Sequence, residues 1–211
     1  MPKIEPFERY VSRYEEWFEK NKYVYESELL AVKKILPKGG EGIEIGVGTG
    51  RFAAPLGIKI GVEPSSKMAR IAIERGIKVI KGVAEELPLH DEQFDFALMV
   101  TTVCFVDDVE KSFREIHRIL KDGGYVVIGF VDRESELGKY YELRKEENPF
   151  YRKATFLSVE DVVSTLKKCG FKNFEYVQTI FHSLEDVKAI EEIKEGFGEG
   201  SFVVVRAQKE V

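Results

Sequence analysis

Gly42-Ile43-Glu44-Ile45-Gly46-Val47-Gly48-Thr49-Gly50 runs a short apolar strand into three closely spaced glycines and on toward a helix. Glycines at such a turn let the backbone bend tightly and let a ligand approach with no Cβ in the way. Downstream, short apolar runs alternate with helical segments: IKIGV from Ile58, IKVIKG from Ile77, FDFALMV from Phe94 and YVVIGFV from Tyr125. Runs that are apolar on both faces read as central strands of a parallel sheet covered by helices. Val109, Phe113, Ile116 and Leu120 mark one face of an amphipathic helix between the last two runs. Asp107 or Asp108 can cap its start, and Gly123-Gly124 can close it.

The flanks differ from this core. Phe7 to Lys20 has helical character and carries Tyr10, Tyr14, Trp17 and Phe18. A second helix, about Glu26 to Leu36, stops at Pro37 and the Gly39-Gly40 pair. Residues 132 to 153 carry charges of both signs, punctuated by Tyr140, Tyr141, Phe150 and Tyr151, and fit no strand period. They read as an insertion over the sheet. A helix from Ser158 to Cys169 follows, ended by Gly170; two strands, Phe171 to Phe181 and Ser201 to Gln208, close the chain with a helix between them. The expected fold is α/β, a doubly wound Rossmann-like sheet of seven strands with an N-terminal helical cap and an insertion after strand five.

The glycine loop has its own chemistry. A dinucleotide site reads G-x-G-x-x-G and seats a pyrophosphate on the helix N-terminus. Here the spacing is G-x-G-x-G, and Arg51 stands where the third dinucleotide glycine belongs. Glu44, at the end of the same strand, would repel a pyrophosphate and attract an ammonium group. S-adenosylmethionine carries an ammonium, a carboxylate and a sulfonium, and no phosphate; this methyl donor fits where a nicotinamide dinucleotide does not. Glu63 ends the second strand 19 residues after Glu44, near the offset at which an acid meets a ribose hydroxyl in the dinucleotide fold. The alternatives are a solvated strand-end acid for Glu63 and a helix-capping acid for Glu44.

On these residues the chain resembles the class I S-adenosylmethionine-dependent methyltransferases. It is similar to the branch containing ubiquinone and menaquinone biosynthesis enzymes and many small-molecule methyltransferases. The family's first motif matches GIEIGVGTG, its ribose acid Glu63 within GVEPS, and its adenine segment Gly82-Val83-Ala84-Glu85-Glu86-Leu87-Pro88. Phe94-Asp95 matches the fourth-strand entry, and Leu120 to Gly124 the turn before the next strand. The resemblance implies a final strand antiparallel to the others. It also implies donor contacts from Glu44, Gly46, Gly48, Gly50, Glu63, Pro64, Met68, Ala84, Glu85, Leu87 and Thr101. Many relatives place an Asp where Val83 stands, so adenine amino recognition falls here to Glu85, a backbone carbonyl or water. Only six residues separate Gly50 from Gly57, leaving a short first-motif helix.

The implied organisation is a single domain: residues 1–36 a cap, 41–131 the donor-binding core, 132–157 an insertion or lid, and 158–211 a C-terminal helix and strands. Tyr14 and Trp17 would cover the donor, while Thr102, Tyr140, Tyr141 and Tyr151 would line the acceptor side. No catalytic dyad is recognisable, and displacement at a sulfonium needs none if positioning supplies the acceleration. The Asn/Asp-Pro-Pro-aromatic run of base and glutamine methyltransferases is absent. Cys104 follows Val103 rather than Pro and reads as a small buried hydrophobe. His117 reads as structural, His90 lies in a polar turn and His182, after the sixth strand, could reach a pocket as a base; no acids are spaced for a magnesium site, so no metal is expected.

Hydrophobic residues make up 44% of the chain and charged ones 33%, as in an ordinary globular protein. The net charge of −5 argues against a general nucleic-acid binder, which needs a basic field. The longest apolar run is the seven residues Tyr125–Val131, far short of a membrane span, and MPKIEPFERY has no signal-peptide pattern. Two cysteines without disulfide or metal spacing suit a reducing cytoplasm. The expected activity is methyl transfer to a small-molecule acceptor. The alternatives are an RNA or protein methyltransferase and a donor-binding regulatory protein without chemistry.

Overall fold

A computed structural model describes residues 3–210. The N-terminal cap is three helices, α1 (Glu5–Arg9), α2 (Val11–Lys20) and α3 (Lys22–Ile35). The aromatic helix read from Phe7 to Lys20 is broken at Tyr10, whose φ of −120° and ψ of 35° leave the helical region. The next helix begins four residues before Glu26. The core follows as β1 (Gly42–Ile45), α4 (Ala53–Leu56), β2 (Ile60–Val62), α5 (Ser66–Glu74), β3 (Lys78–Ile80), β4 (Phe94–Val100), α6 (Val109–Ile119) and β5 (Leu120–Val131), with helices between strands except from β3 to β4. The insertion carries α7 (Glu136–Leu143) and two single turns. The chain ends in α8 (Val159–Lys168), β6 (Phe171–Thr179), β7 (Lys194–Glu195) and β8 (Phe202–Lys209).

These strands form one sheet in the order β3-β2-β1-β4-β5-β8-β6-β7. Strands β1 to β5 pair in parallel, and β8 inserts antiparallel between β5 and β6. The sheet therefore has eight strands rather than seven; the extra one is the two-residue β7 on the edge of β6. Two apolar layers explain the double winding. Phe94, Met99, Phe113, Ile116, Val162 and Leu166 pack on one face under α6 and α8. On the other, Phe96, Leu98 and Val127 meet Phe18, Val32 and Ala72 from α2, α3 and α5.

Two sequence expectations fail for identifiable reasons. The helix expected between β6 and β8 does not form; residues 182–193 make turns without strand or helix. Thr179 Oγ1 donates to the Glu192 carbonyl, and Ser27 Oγ accepts from the Glu191 N–H. Leu184, Val187 and Ile193 pack into the cap-side core, so tertiary contacts outbid a weak local helix preference. Nor do Gly123-Gly124 close α6, because β5 starts at once at Leu120. They lie at a register shift between Phe94 and Phe96, where Gly123 has φ +74° and a Cβ on Gly124 would sit 2.9 Å from the Asp95 and Lys121 carbonyl oxygens. Of the candidate caps for α6, Asp108 is used, accepting from the Lys111 N–H at 2.9 Å.

The capping box that starts α8, Ser158 with Asp161, offers a stability test away from the site. Ser158→Ala should cost about 1 kcal/mol and lower the melting temperature by about 2–4 °C in a chain of this size, with donor affinity unchanged by calorimetry.

Candidate functional site

The glycine loop leaves β1 through three left-handed residues, Gly46 (φ +71°), Gly48 (φ +55°) and Gly50 (φ +81°). It is tied to β2: Gly46 and Val47 both donate their N–H groups to the Val62 carbonyl, at 2.9 and 3.0 Å. A Cβ on Gly46 would lie 2.4 Å from Thr102, whose hydroxyl donates to the Gly46 carbonyl. A Cβ on Gly48 would instead project between the Tyr14 hydroxyl and the Met68 methyl, 3.4 and 3.6 Å away. Gly48 thus presents bare backbone to a cleft.

Glu63 stands across from it. One carboxylate oxygen accepts the Gly48 N–H at 2.9 Å and the other the Ser65 N–H at 2.8 Å. The residue is 7% exposed. Burial pushes its carboxyl up to about 7, against these two hydrogen bonds; the nearby Glu8 charge pushes the same way as burial. Glu44, 2% exposed, lies under the loop. Burial holds its carboxyl well above the usual range, opposed by the Ala53 N–H and reinforced by Glu63. Among the described residues its Oε2 has no hydrogen-bond partner. Burial also raises the Tyr14 phenol, with Glu44 and Glu63 adding to the effect.

The cleft, together with the solvent space at its mouth, spans about 770 Å³. Its walls include ten of the sequence-predicted positions: Tyr14, Gly46, Gly48, Glu63, Pro64, Met68, Ala84, Glu85, Thr101 and Thr102. Four others stand off it. Glu44 is beneath the loop, Gly50 faces Ala72 and Ile77 of the α5 layer, and Leu87 is core. Trp17 packs edge-on against Phe18 in the cap. Glu85 reaches the cleft, but its Oε1 already accepts the Asp107 N–H at 2.6 Å. A second cavity of about 370 Å³ shares Thr101 and Phe105 with the first and is walled by Tyr141, Tyr151, Phe130 and Phe156. Tyr140 lines neither and is half exposed under Arg144.

Sequence reasoning missed the residues that fasten the cap. Glu15 of α2 accepts from Thr49 Oγ1, from Arg51 Nη2 at 2.7 Å and from Arg75 Nη2. Burial disfavours its charge, but the hydrogen bonds from Arg75, Arg51 and Thr49 hold its carboxyl below the usual range. Glu8 of α1 accepts from Ser65 Oγ at 2.8 Å, beside the Ser65 N–H that holds Glu63. Phe7 stacks edge-on over Phe105 and touches Phe150 of the insertion, with centroids 5.0 and 5.4 Å away. Arg51 directly after the glycine loop was the available signal, a cation with no phosphate to bind.

Comparison with known proteins agrees with this geometry. The profile of the methyltransferase-domain family matches residues 43–128. A crystal structure from Thermotoga maritima, named as an S-adenosylmethionine-dependent methyltransferase and possible histamine N-methyltransferase, is 56% identical. It superposes with a TM-score of 0.96 over 99% of this chain and 100% of that one. The chain belongs to the class I S-adenosylmethionine-dependent methyltransferases. An uncharacterised Methanocaldococcus jannaschii protein is 49% identical over 203 residues, 96% of this chain and 98% of that one. A Staphylococcus aureus demethylmenaquinone methyltransferase is 25% identical over 183 residues, 81% and 71% of the two chains.

The methyltransferase site fits its donor on three observations. The unpaired Glu44 oxygen, beneath the loop rather than in the cleft wall, could meet the donor's ammonium through water. Gly48 leaves room beside Met68, and Glu63, held by two N–H groups, has lone pairs left for ribose hydroxyls.

Charge-assisted bonds of this kind are worth about 1.5–3 kcal/mol. Glu63→Gln should therefore weaken donor binding at least tenfold by calorimetry, with the fold intact. A carboxyl that must ionise to accept hydroxyl bonds, and that sits at about 7 when empty, makes donor affinity rise as pH climbs to about 7 and then level off. Glu63→Gln should flatten that rise. In the ligand-free protein the sign is opposite: a group raised from 4.5 to about 7 on folding stabilises at acid pH, and that contribution is lost as pH rises between those values.

Proposed function

We propose that this methyltransferase acts on a small-molecule acceptor that enters the second cavity and meets the donor's methyl group over Thr101 and Phe105. The observation that supports this is the wall the two cavities share at those two residues. Beyond it the space is bounded by Phe130, Val131, Phe156 and Leu157 and by Tyr141 and Tyr151 from the insertion. A walled, aromatic space suits a compact apolar acceptor better than a polymer chain. The net charge of −5 also disfavours nucleic acid. Two relatives carry small-molecule names, the possible histamine N-methyltransferase and the demethylmenaquinone methyltransferase.

The transfer asks little acid–base chemistry of the chain. The glycine loop and Glu63 would hold the donor's amino-acid and ribose ends, Met68 and Ala84 its adenine, and Thr101 and Thr102 the reacting end. An acceptor lone pair held in line with the breaking carbon–sulfur bond gains effective molarity worth up to about 7–11 kcal/mol. Cys104 takes no part as a nucleophile, because burial pushes its thiol up to about 12. The cap and the insertion, joined through Phe7, Phe105 and Phe150, would close over the reactants and exclude water.

Incubation with methyl-labelled donor and a cell extract split into small-molecule, RNA and protein fractions tests the reading. The label should enter a small molecule. Label confined to RNA or protein would overturn the assignment, and no turnover in any fraction would favour a donor-binding regulator.

A further inference from the structure

Glu8 lies outside the donor cleft, yet it shares a residue with the acid that the donor's ribose would meet. Ser65 donates its N–H to Glu63 Oε1 and its hydroxyl to Glu8 Oε1, each at 2.8 Å. Two carboxyls therefore meet at a single serine, one from the end of β2 and one from the cap. Glu8 Oε1 also accepts the Lys67 N–H at 3.3 Å, in the first turn of α5, where negative charge is favoured. The same turn sets Met68 in the cleft wall, because Ser65 Oγ accepts the Met68 N–H at 3.3 Å. Tyr10 breaks the chain between α1 and α2, so α1 needs ties of its own beyond the Glu15 clamp on α2. Glu5 and Arg9 of α1 pair with each other at 3.8 Å. Glu8 is the acid by which α1 reaches the ribose side of the cleft.

The two carboxyls differ in charge. The Ser65 hydroxyl is the main cause that holds Glu8 below the usual carboxylate range, against slight burial and with help from the Lys67 and Ser66 N–H groups and the Lys67 charge. Glu63 sits at about 7, chiefly through burial; the Ser65 and Gly48 N–H groups oppose this and the Glu8 charge adds to it. Below pH 7, Glu8 is an anion beside a neutral Glu63. The other groups around Glu63 are Glu44 beneath the loop and the Tyr14 phenol. Lys67 faces Glu8, and Lys81 Nζ lies 3.5 Å from Ser66 Oγ.

We propose that Glu8 is a positioning residue for the methyl donor, acting from the cap through Ser65 on Glu63. It acts in two ways. Its carboxylate takes the Ser65 hydroxyl and so fixes the N–H that orients Glu63 Oε1. Its charge opposes that of an ionised Glu63, so ribose hydroxyls find a carboxylate only at higher pH. Phe7 of α1, with Lys3 and Ile4 just before it, also walls the cleft. The segment that covers the donor thereby adjusts the group that binds it. This inference rests on Glu63 as the donor's ribose acid, and a Glu63 control separates the two.

The test measures S-adenosylmethionine affinity of the full chain by calorimetry between roughly pH 5.5 and 8.5, across the ionisation of Glu63. Glu8→Gln keeps an oxygen for the Ser65 hydroxyl and removes the charge. The midpoint of the rise in affinity should move down by about half a unit or more. Affinity at about pH 6 then tightens about threefold while the plateau holds. Glu8→Asp, which keeps the charge, should leave the midpoint near that of the unaltered chain. Glu8→Ala removes the acceptor as well, and should add a loss of about threefold or more on the plateau. In a Glu63→Gln background, Glu8→Gln should change nothing, because its charge no longer faces an ionising partner. An unmoved midpoint in Glu8→Gln, an undiminished plateau in Glu8→Ala, or the same Glu8→Gln effect in the Glu63→Gln background would each overturn the proposal and leave the Glu63 assignment standing. Affinity that does not rise with pH in the unaltered chain, or a rise that survives Glu63→Gln, would overturn both.

Discussion

The two backbone hydrogen bonds that Glu63 accepts, from Gly48 and from Ser65, hold the whole site in register. They join the glycine loop after β1 to the turn after β2, so two neighbouring strand ends share one carboxylate. Ser65 in turn caps α5, its Oγ accepting from the Met68 N–H, and this sets where Met68 enters the cleft. A single acid thus fixes the loop, the start of the next helix and one wall of the ligand space. The arrangement requires a buried carboxyl, and the cost of burying it shows in its raised proton affinity. In the bound state, ribose hydroxyls donating to it would replace the lost water.

The cap is organised around the same loop from the outside. Glu15 binds Thr49, Arg51 and Arg75 together, while Arg75 also donates to the Thr49 carbonyl at 2.7 Å. The loop is therefore clamped between Glu63 within and Glu15 above. Arg51, which stands where a dinucleotide fold has a glycine, serves the cap instead of a phosphate. That inversion explains how one glycine-rich turn can serve a ligand without phosphates: its cation points outward to an acid, and the acids Glu44 and Glu63 lie inward.

The alternation of strands and helices was legible because a parallel sheet must be apolar on both faces, and β1, β4 and β5 carry that pattern without interruption. Glu63 and the glycines were legible because their spacing has a geometric cause. Leu87 and Gly50 were misplaced relative to the cleft for a simple reason: neighbours of a ligand loop alternate between ligand and core, and sequence does not say which side each takes. Trp17 and Tyr140 were misplaced likewise, since an aromatic on an amphipathic helix can face cap, cleft or solvent. The contacts of Glu8 and Glu15 lie 57 and 34 to 60 residues away in sequence. They depend on how three cap helices dock, which no local pattern encodes. The false helix before β7 has the same origin, because its apolar spacing was genuine but served packing on α3.

Thr101 carries the last link between fold and chemistry. It follows the last residue of β4 with φ +49°, a left-handed conformation that costs a β-branched residue energy. Its N–H donates to the Gly129 carbonyl at 2.7 Å, so the sheet enforces the bend. The consequence is a sharp departure of the chain from β4, which places Thr101 and Phe105 in the walls of both cavities. On the reading proposed above, this bend would bring an acceptor beside the methyl donor, and that alignment is the main service a methyltransferase without an acid–base dyad has to provide.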